Sequence, residues 1–96
     1  MDHQELIKKI VLKNAPKDEF DVYLFGSRAK GTAKKFSDFD VGFLGKDHKR
    51  LNGVTVNNIE QEFEDQLVPY FVDLVDLWTV PEDFRQNVLK EGVKWA

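Results

Sequence analysis

The chain contains no cysteine. That excludes a disulfide framework, a thiolate metal site and a cysteine nucleophile, and it fits a reducing interior. Long apolar runs are missing as well. No stretch approaches the roughly 20 apolar residues of a membrane span, and the amino-terminal MDHQELIKK is charged where a signal peptide is apolar. We therefore expect a cytoplasmic protein with no membrane partner. Positive charge is not in excess either: 14 Lys and Arg against 17 Asp and Glu leave a net charge of −3. Broad capture of nucleic acid usually shows as a basic domain or stripe, so that class of partner is disfavoured. Repeats, linkers and low-complexity tracts are also lacking.

What the chain does have is enough apolar surface for one core. Of its 96 residues 42% are hydrophobic, including eight Phe and two Trp, which suits a packed domain and not a disordered tail. At this length we expect residues 1–96 to form a single domain, without a separate module for a substrate.

Leu6, Ile7, Ile10 and Val11 lie at helical spacing and predict an amphipathic helix from about Asp2 to Lys13, ended by Asn14, Pro16 and Asp18. FDVYLF, Phe20 to Phe25, reads as a buried strand stopped by Gly26. In DFDVGFLG, Phe39, Val41 and Phe43 alternate with Asp38, Asp40 and Gly42, which predicts a second strand. Val56, Ile59, Phe63 and Leu67 recur at steps of three or four, giving a helix from about Gly53 to Leu67 with Glu60, Glu62, Glu64 and Asp65 toward solvent. YFVDLVDLW reads as a third strand. Thr79 and Glu82 stand at capping-box spacing before a last helix, about Pro81 to Glu91, which Gly92 would stop. Tyr23, Phe25, Phe39 and Phe43 are expected in the core, as are Trp78, Phe84, Val88 and Trp95. His3 and His48 are expected at the surface.

The chemistry concentrates between Gly26 and Asp40. A strand ending in Gly26-Ser27 before a tight turn lets backbone N–H groups and the Ser27 hydroxyl approach an anion closely, and a brief helix starting at Ser27 would add its positive end. Phosphate is the natural guest. Asp38 and Asp40, two apart on a strand, project from one face and repel each other unless a cation lies between them. An all-oxygen site with phosphate nearby suits Mg²⁺. A bare Asp-x-Asp is more often a turn cap beside a solvated carboxylate, so this pair gains its weight from the Gly-Ser ten residues upstream.

That conjunction, GSRAKGTAKKFSDFDVGF, resembles the GSRxRG-then-SDxDL signature of the DNA polymerase β-like nucleotidyltransferase superfamily, and most closely its minimal nucleotidyltransferases. The resemblance extends from the first helix through VDLVDLW to the last. It implies an α/β (α+β) fold: a small mixed three-stranded sheet packed by helices, in the order α-β-α-β-α-β-α. It implies a third metal carboxylate on the strand after the long helix, where Asp73 and Asp76 both stand. Their odd spacing turns them to opposite faces, so only one can join Asp38 and Asp40; the resemblance favours Asp73. Gly26, Ser27, Arg28 and Lys30 then become candidates for binding the nucleotide phosphates, with Lys34 and Lys35 in the same loop. The superfamily commonly has Arg where this chain has Lys30, which removes a bidentate fork.

The activity implied is transfer of a nucleoside monophosphate, AMP from ATP, to an acceptor hydroxyl with two Mg²⁺ ions. Minimal nucleotidyltransferases are often encoded beside a helical protein of the HEPN or substrate-binding type. The resemblance thus implies a HEPN partner modified on tyrosine and an antitoxin role for this chain. Two alternatives remain open: a subunit that neutralises its partner by contact alone, and a small-molecule nucleotidyltransferase subunit of the antibiotic-modifying kind. Apolar residues near the C terminus also admit contact with a second copy of the chain.

Overall fold

The structure, a computed structural model, describes residues 2–96. Helix α1 (His3–Asn14) starts where the Asp2 carboxylate accepts the Glu5 N–H at 2.8 Å, so Asp2 is the cap and not part of the helix. Its Ile7, Ile10 and Val11 are buried. Strand β1 (Phe20–Phe25) follows, burying Phe20, Val22 and Leu24 and leaving Asp21, Tyr23 and Phe25 on the other face. A four-residue helix α2 (Ser27–Lys30) leads through a loop into β2 (Phe39–Gly45), then a 3-10 turn at Lys46–His48. Helix α3 (Gly53–Asp65) is capped by Asn52, whose side chain accepts the Thr55 N–H at 2.8 Å. Strand β3 (Val72–Asp76), helix α4 (Glu82–Glu91) and strand β4 (Val93–Lys94) complete the chain.

The sheet has the order β3-β2-β1-β4. Strand β1 runs antiparallel to β2 and to β4, whereas β2 and β3 are parallel, joined by a crossover that contains α3. Helices α1 and α3 cover one face. There Ile7, Ile10, Val11, Ile59 and Phe63 pack with the inward residues of β1 and β2 and with Val72 into one core. Full burial of each large aliphatic or aromatic side chain stabilises the fold by about 1.5–3 kcal/mol. Glu62, expected in solvent, joins the two helices: it accepts from Asn14 and pairs with Lys13 at 3.1 Å. Both contacts hold its carboxyl below the ordinary range, the Asn14 hydrogen bond first.

The second face is covered only in part. Leu77 is fully buried and lies so close to β2 that a Cβ on Gly42 would meet it at 3.0 Å, and Val88 of α4 is buried as well.

Four expectations about the fold need correction. The sheet has four strands instead of three, because the two residues after Gly92 pair with the free edge of β1 and Trp95 continues the contact by donating to the Val22 carbonyl at 2.7 Å. The third strand is shorter than YFVDLVDLW: the chain turns at Asp76, whose carboxylate accepts the Trp78 N–H at 2.9 Å. No capping box forms, since the Thr79 hydroxyl donates to the Asp76 carbonyl at 2.7 Å and α4 begins after Pro81. Among the aromatics, Phe39 and Phe43 are core, but Phe25 and Tyr23 are half-buried on the second face and Phe84 is 41% exposed.

Candidate active site

Gly26 ends β1 at φ +74°, a conformation that side chains rarely adopt, and a Cβ there would collide with the Asp40 carboxylate. Glycine is thus required both for the turn and for the approach of the turn to Asp40. The Gly26 carbonyl accepts from Ala29 and Lys30, both at 3.1 Å, starting α2. Ser27 and Arg28 occupy its first two positions, whose N–H groups have no acceptor within the helix. The Ser27 hydroxyl has no partner among the described residues. Gly31, at φ +73°, closes the turn in the left-handed region.

Arg28 does not point its charge at this turn. Its guanidinium donates to the Ser37 carbonyl through Nε at 3.3 Å and through a terminal nitrogen at 2.7 Å, and to the Lys35 carbonyl at 3.3 Å. It lies over Phe39 at 4.3 Å and Tyr70 at 5.1 Å. The phosphate role expected from its place in the motif is therefore not the one its contacts describe. Arg28 braces the loop immediately before Asp38. Nothing in the sequence indicated that reach of nine residues, although the lone Arg in a lysine-rich loop suits a fork that must hold two carbonyls. Lys30 is exposed and pairs with Glu91 of α4 at 3.8 Å.

Asp38 and Asp40 flank buried Phe39, and strand alternation turns both away from the core. Asp73 is the register partner of Asp40 across the parallel β2–β3 pair, so its side chain rises on the same face. Asp40, half-buried at the centre, has its carboxyl raised above the usual aspartate range by burial first, then by the charges of Asp73 and Asp38. Among the described residues none of the three is in a salt bridge. They share one face, but among the described residues no three such groups stand close enough to form a closed metal shell as they are. Oxygen-only donors with unneutralised charge are of the kind that would suit a hard divalent cation such as Mg²⁺.

Asp76 is placed differently. It pairs in register with Phe43, on the core side, and its carboxylate accepts from Arg50 at 2.8 Å, the Leu51 N–H at 3.1 Å and the Trp78 N–H at 2.9 Å. His48 stacks on Trp78 at 3.8 Å in that same region, and His3 meets Tyr70 edge-on at 5.3 Å.

A glycine turn set against strand-borne carboxylates on a mixed sheet is the architecture of enzymes that transfer nucleotidyl groups. The chain belongs to the polymerase beta nucleotidyltransferase family, whose model it matches over residues 5–94. Similar proteins include MntA of Haemophilus influenzae, 34% identical over 85 residues that cover 88% of this chain and 71% of the relative. The protein adenylyltransferase MntA of Shewanella oneidensis is 33% identical, over 94% of this chain and 62% of that protein. Among solved structures, a toxin–antitoxin with AMP-PNP aligns with a TM-score of 0.70 and 27% identity, over 100% of this chain and 73% of the other. The MNT antitoxin in complex with a tri-AMPylated Shewanella oneidensis HEPN toxin aligns at 0.63 and 27%, over 97% and 71%.

Proposed function

We propose that this protein is a Mg²⁺-dependent adenylyltransferase that moves AMP from ATP to a tyrosine hydroxyl of a helical HEPN-type partner, and that it is the antitoxin of that pair. The observation that carries the reading is the β2–β3 register, which puts Asp73 beside Asp40 on the face that the Gly26 turn approaches. The acceptor and partner are argued from the relatives, a protein adenylyltransferase and an antitoxin bound to an AMPylated HEPN toxin.

In this reading the amides of Ser27 and Arg28 and the Ser27 hydroxyl hold the triphosphate, and Lys30 adds positive charge at the edge of the turn. Asp38, Asp40 and Asp73 would hold the metal. Mg²⁺ bound there would offset charge on the phosphates and on the attacking oxygen. The tyrosine oxygen forms a bond to the α-phosphorus, the bond from that phosphorus to the bridging oxygen breaks, and pyrophosphate leaves. The tyrosine proton passes to the carboxylate cluster. Arg28 fixes the loop so that Asp38 meets the other two carboxylates without searching for its position. A reaction that consumes ATP belongs in the cytoplasm, and none of the described helices is long and apolar enough to cross a membrane.

The test is incubation of the protein with Mg²⁺, ATP labelled at the α-phosphate and the HEPN partner. Label should appear on a partner tyrosine and vanish with Asp40→Asn. A tight complex with no transfer would sink the enzyme and leave an antitoxin that acts by contact.

A further inference from the structure

A cavity of about 280 Å³ opens on the second face of the sheet, between the end of β1, α2 and α4. None of the three aspartates Asp38, Asp40 and Asp73 lines it. Gly26 forms part of its wall and stands so near the Asp40 carboxylate that a Cβ there would collide with it. Phe25, also in the wall, is the register partner of Asp40, so the cavity and the carboxylates share one face of the sheet. Helix α4 contributes Phe84, Asn87 and Glu91, spaced three and four apart along one stripe.

The chemistry of this wall is specific. Phe84 meets Phe25 edge-on, with ring centres 5.7 Å apart, and an edge-on pair leaves ring face available for stacking. The Asn87 side chain is exposed and makes no hydrogen bond among the described residues, so its carboxamide offers a donor and an acceptor side by side. Lys30 and Glu91 pair from α2 to α4 at the rim.

We propose that this cavity receives the base of the nucleotide, a purine stacked on Phe84 and held along one polar edge by Asn87. The inference rests on the nucleotidyl-transfer reading and adds the place of the base. A triphosphate on the Gly26 turn must send its ribose and base to one side, and this cavity begins at that turn on the face of the carboxylates. Stacking favours the larger ring system of a purine over a pyrimidine. A carboxamide pairs with adenine by accepting from the N6 amino group and donating to a ring nitrogen. Turned over, it also fits guanine, so Asn87 holds the base without choosing between the two. Asn87→Asp removes the donor, which repels the adenine ring nitrogen and suits the N1–H and N2–H of guanine.

Equilibrium binding of ATP, GTP and inorganic tripolyphosphate to the full chain, each with Mg²⁺, tests this without any transfer reaction. The wild type should bind ATP more tightly than tripolyphosphate. Phe84→Ala and Asn87→Ala should each weaken ATP by about tenfold and leave tripolyphosphate unchanged, which also shows that the variants are folded. Asn87→Asp should move the ATP-to-GTP preference toward GTP. Unchanged ATP binding in both alanine variants would overturn the base site while nucleotidyl transfer still stood, and the cavity would then be free for the acceptor side chain. A wild type that bound neither ATP nor tripolyphosphate would overturn the transfer reading and this inference with it.

Discussion

Asp73 and Asp76 lie on the same short strand and have met opposite fates. Asp73 stands exposed beside Asp40 with no base in contact, and its charge adds to the burial that raises the Asp40 carboxyl. Asp76 is almost enclosed, its side chain 11% exposed, and accepts from one guanidinium and two backbone N–H groups. One end of the strand thus keeps an unpaired charge, and the other uses its carboxylate to close a turn. The lesson is that a carboxylate's role follows from its donors, and the donors follow from strand parity and the loops that each end receives.

The sharpest way to break the comparison is to exchange the substitutions. Asp73→Asn should lower AMP transfer to the partner at least about a hundredfold, through loss of the metal ligand proposed for it, with little change in melting temperature. Transfer rates measured beside thermal melts check this, and near-normal transfer would remove Asp73 from the site. Asp76→Ala should do the reverse. Arg50 is 65% exposed, so its ion pair contributes under about 1 kcal/mol. The two N–H groups left without an acceptor raise the total loss of stability to about 2–4 kcal/mol, read from denaturant unfolding, while the folded fraction still transfers AMP.

A smaller effect is expected at Arg28, which touches neither aspartate. Arg28→Lys keeps the charge but loses the fork on the Ser37 and Lys35 carbonyls. Transfer should fall by about tenfold, with a higher Mg²⁺ requirement and a nearly unchanged Michaelis constant for ATP. A raised Michaelis constant with unchanged turnover would instead return Arg28 to the phosphates.

The smallest effects are in pH dependence, where Asp40 and Glu62 have opposite signs. Asp40 holds its proton more tightly folded than unfolded, so without divalent metal its contribution to stability falls as pH rises from about 4 through its raised folded value. Asp40→Asn should remove that slope and raise the melting temperature near neutrality. Glu62 is depressed by Asn14 and Lys13, so its contribution is present above the unfolded value and is lost as pH falls through the folded one. Melting curves of Glu62→Gln should show a smaller loss on acidification than the wild type. An Asp40→Asn protein that melts earlier than the wild type at neutral pH would contradict the repulsion described for the cluster.

Much of this was legible in the chain itself. A short aromatic and β-branched run stopped by Gly26 located β1, period-two alternation located β2, period-three-and-four patterns located α1 and α3, and start and stop signals located α4, each to within about two residues. Gly26-Ser27 ahead of Asp38 and Asp40 marked the candidate site through local chemistry that needs no distant partner. Strand β4 was not legible: two residues carry no periodicity, and they become a strand only because β1 offers a free edge. Nor were the donors of Asp76, since Arg50 and Leu51 lie some 25 positions away.

The sequence by itself determined which residues face apart, since alternation along a strand is a property of the backbone. It required Asp38 and Asp40 to share a face and Asp73 and Asp76 to oppose each other. Only the tertiary structure decided that Asp73 is the one on the Asp40 side, because that depends on the parallel register reached through the α3 crossover. It alone turned the Arg28 guanidinium from the turn to the loop, where two carbonyls and two aromatic faces meet. Local rules fix directions along one strand, and packing between strands fixes which directions converge.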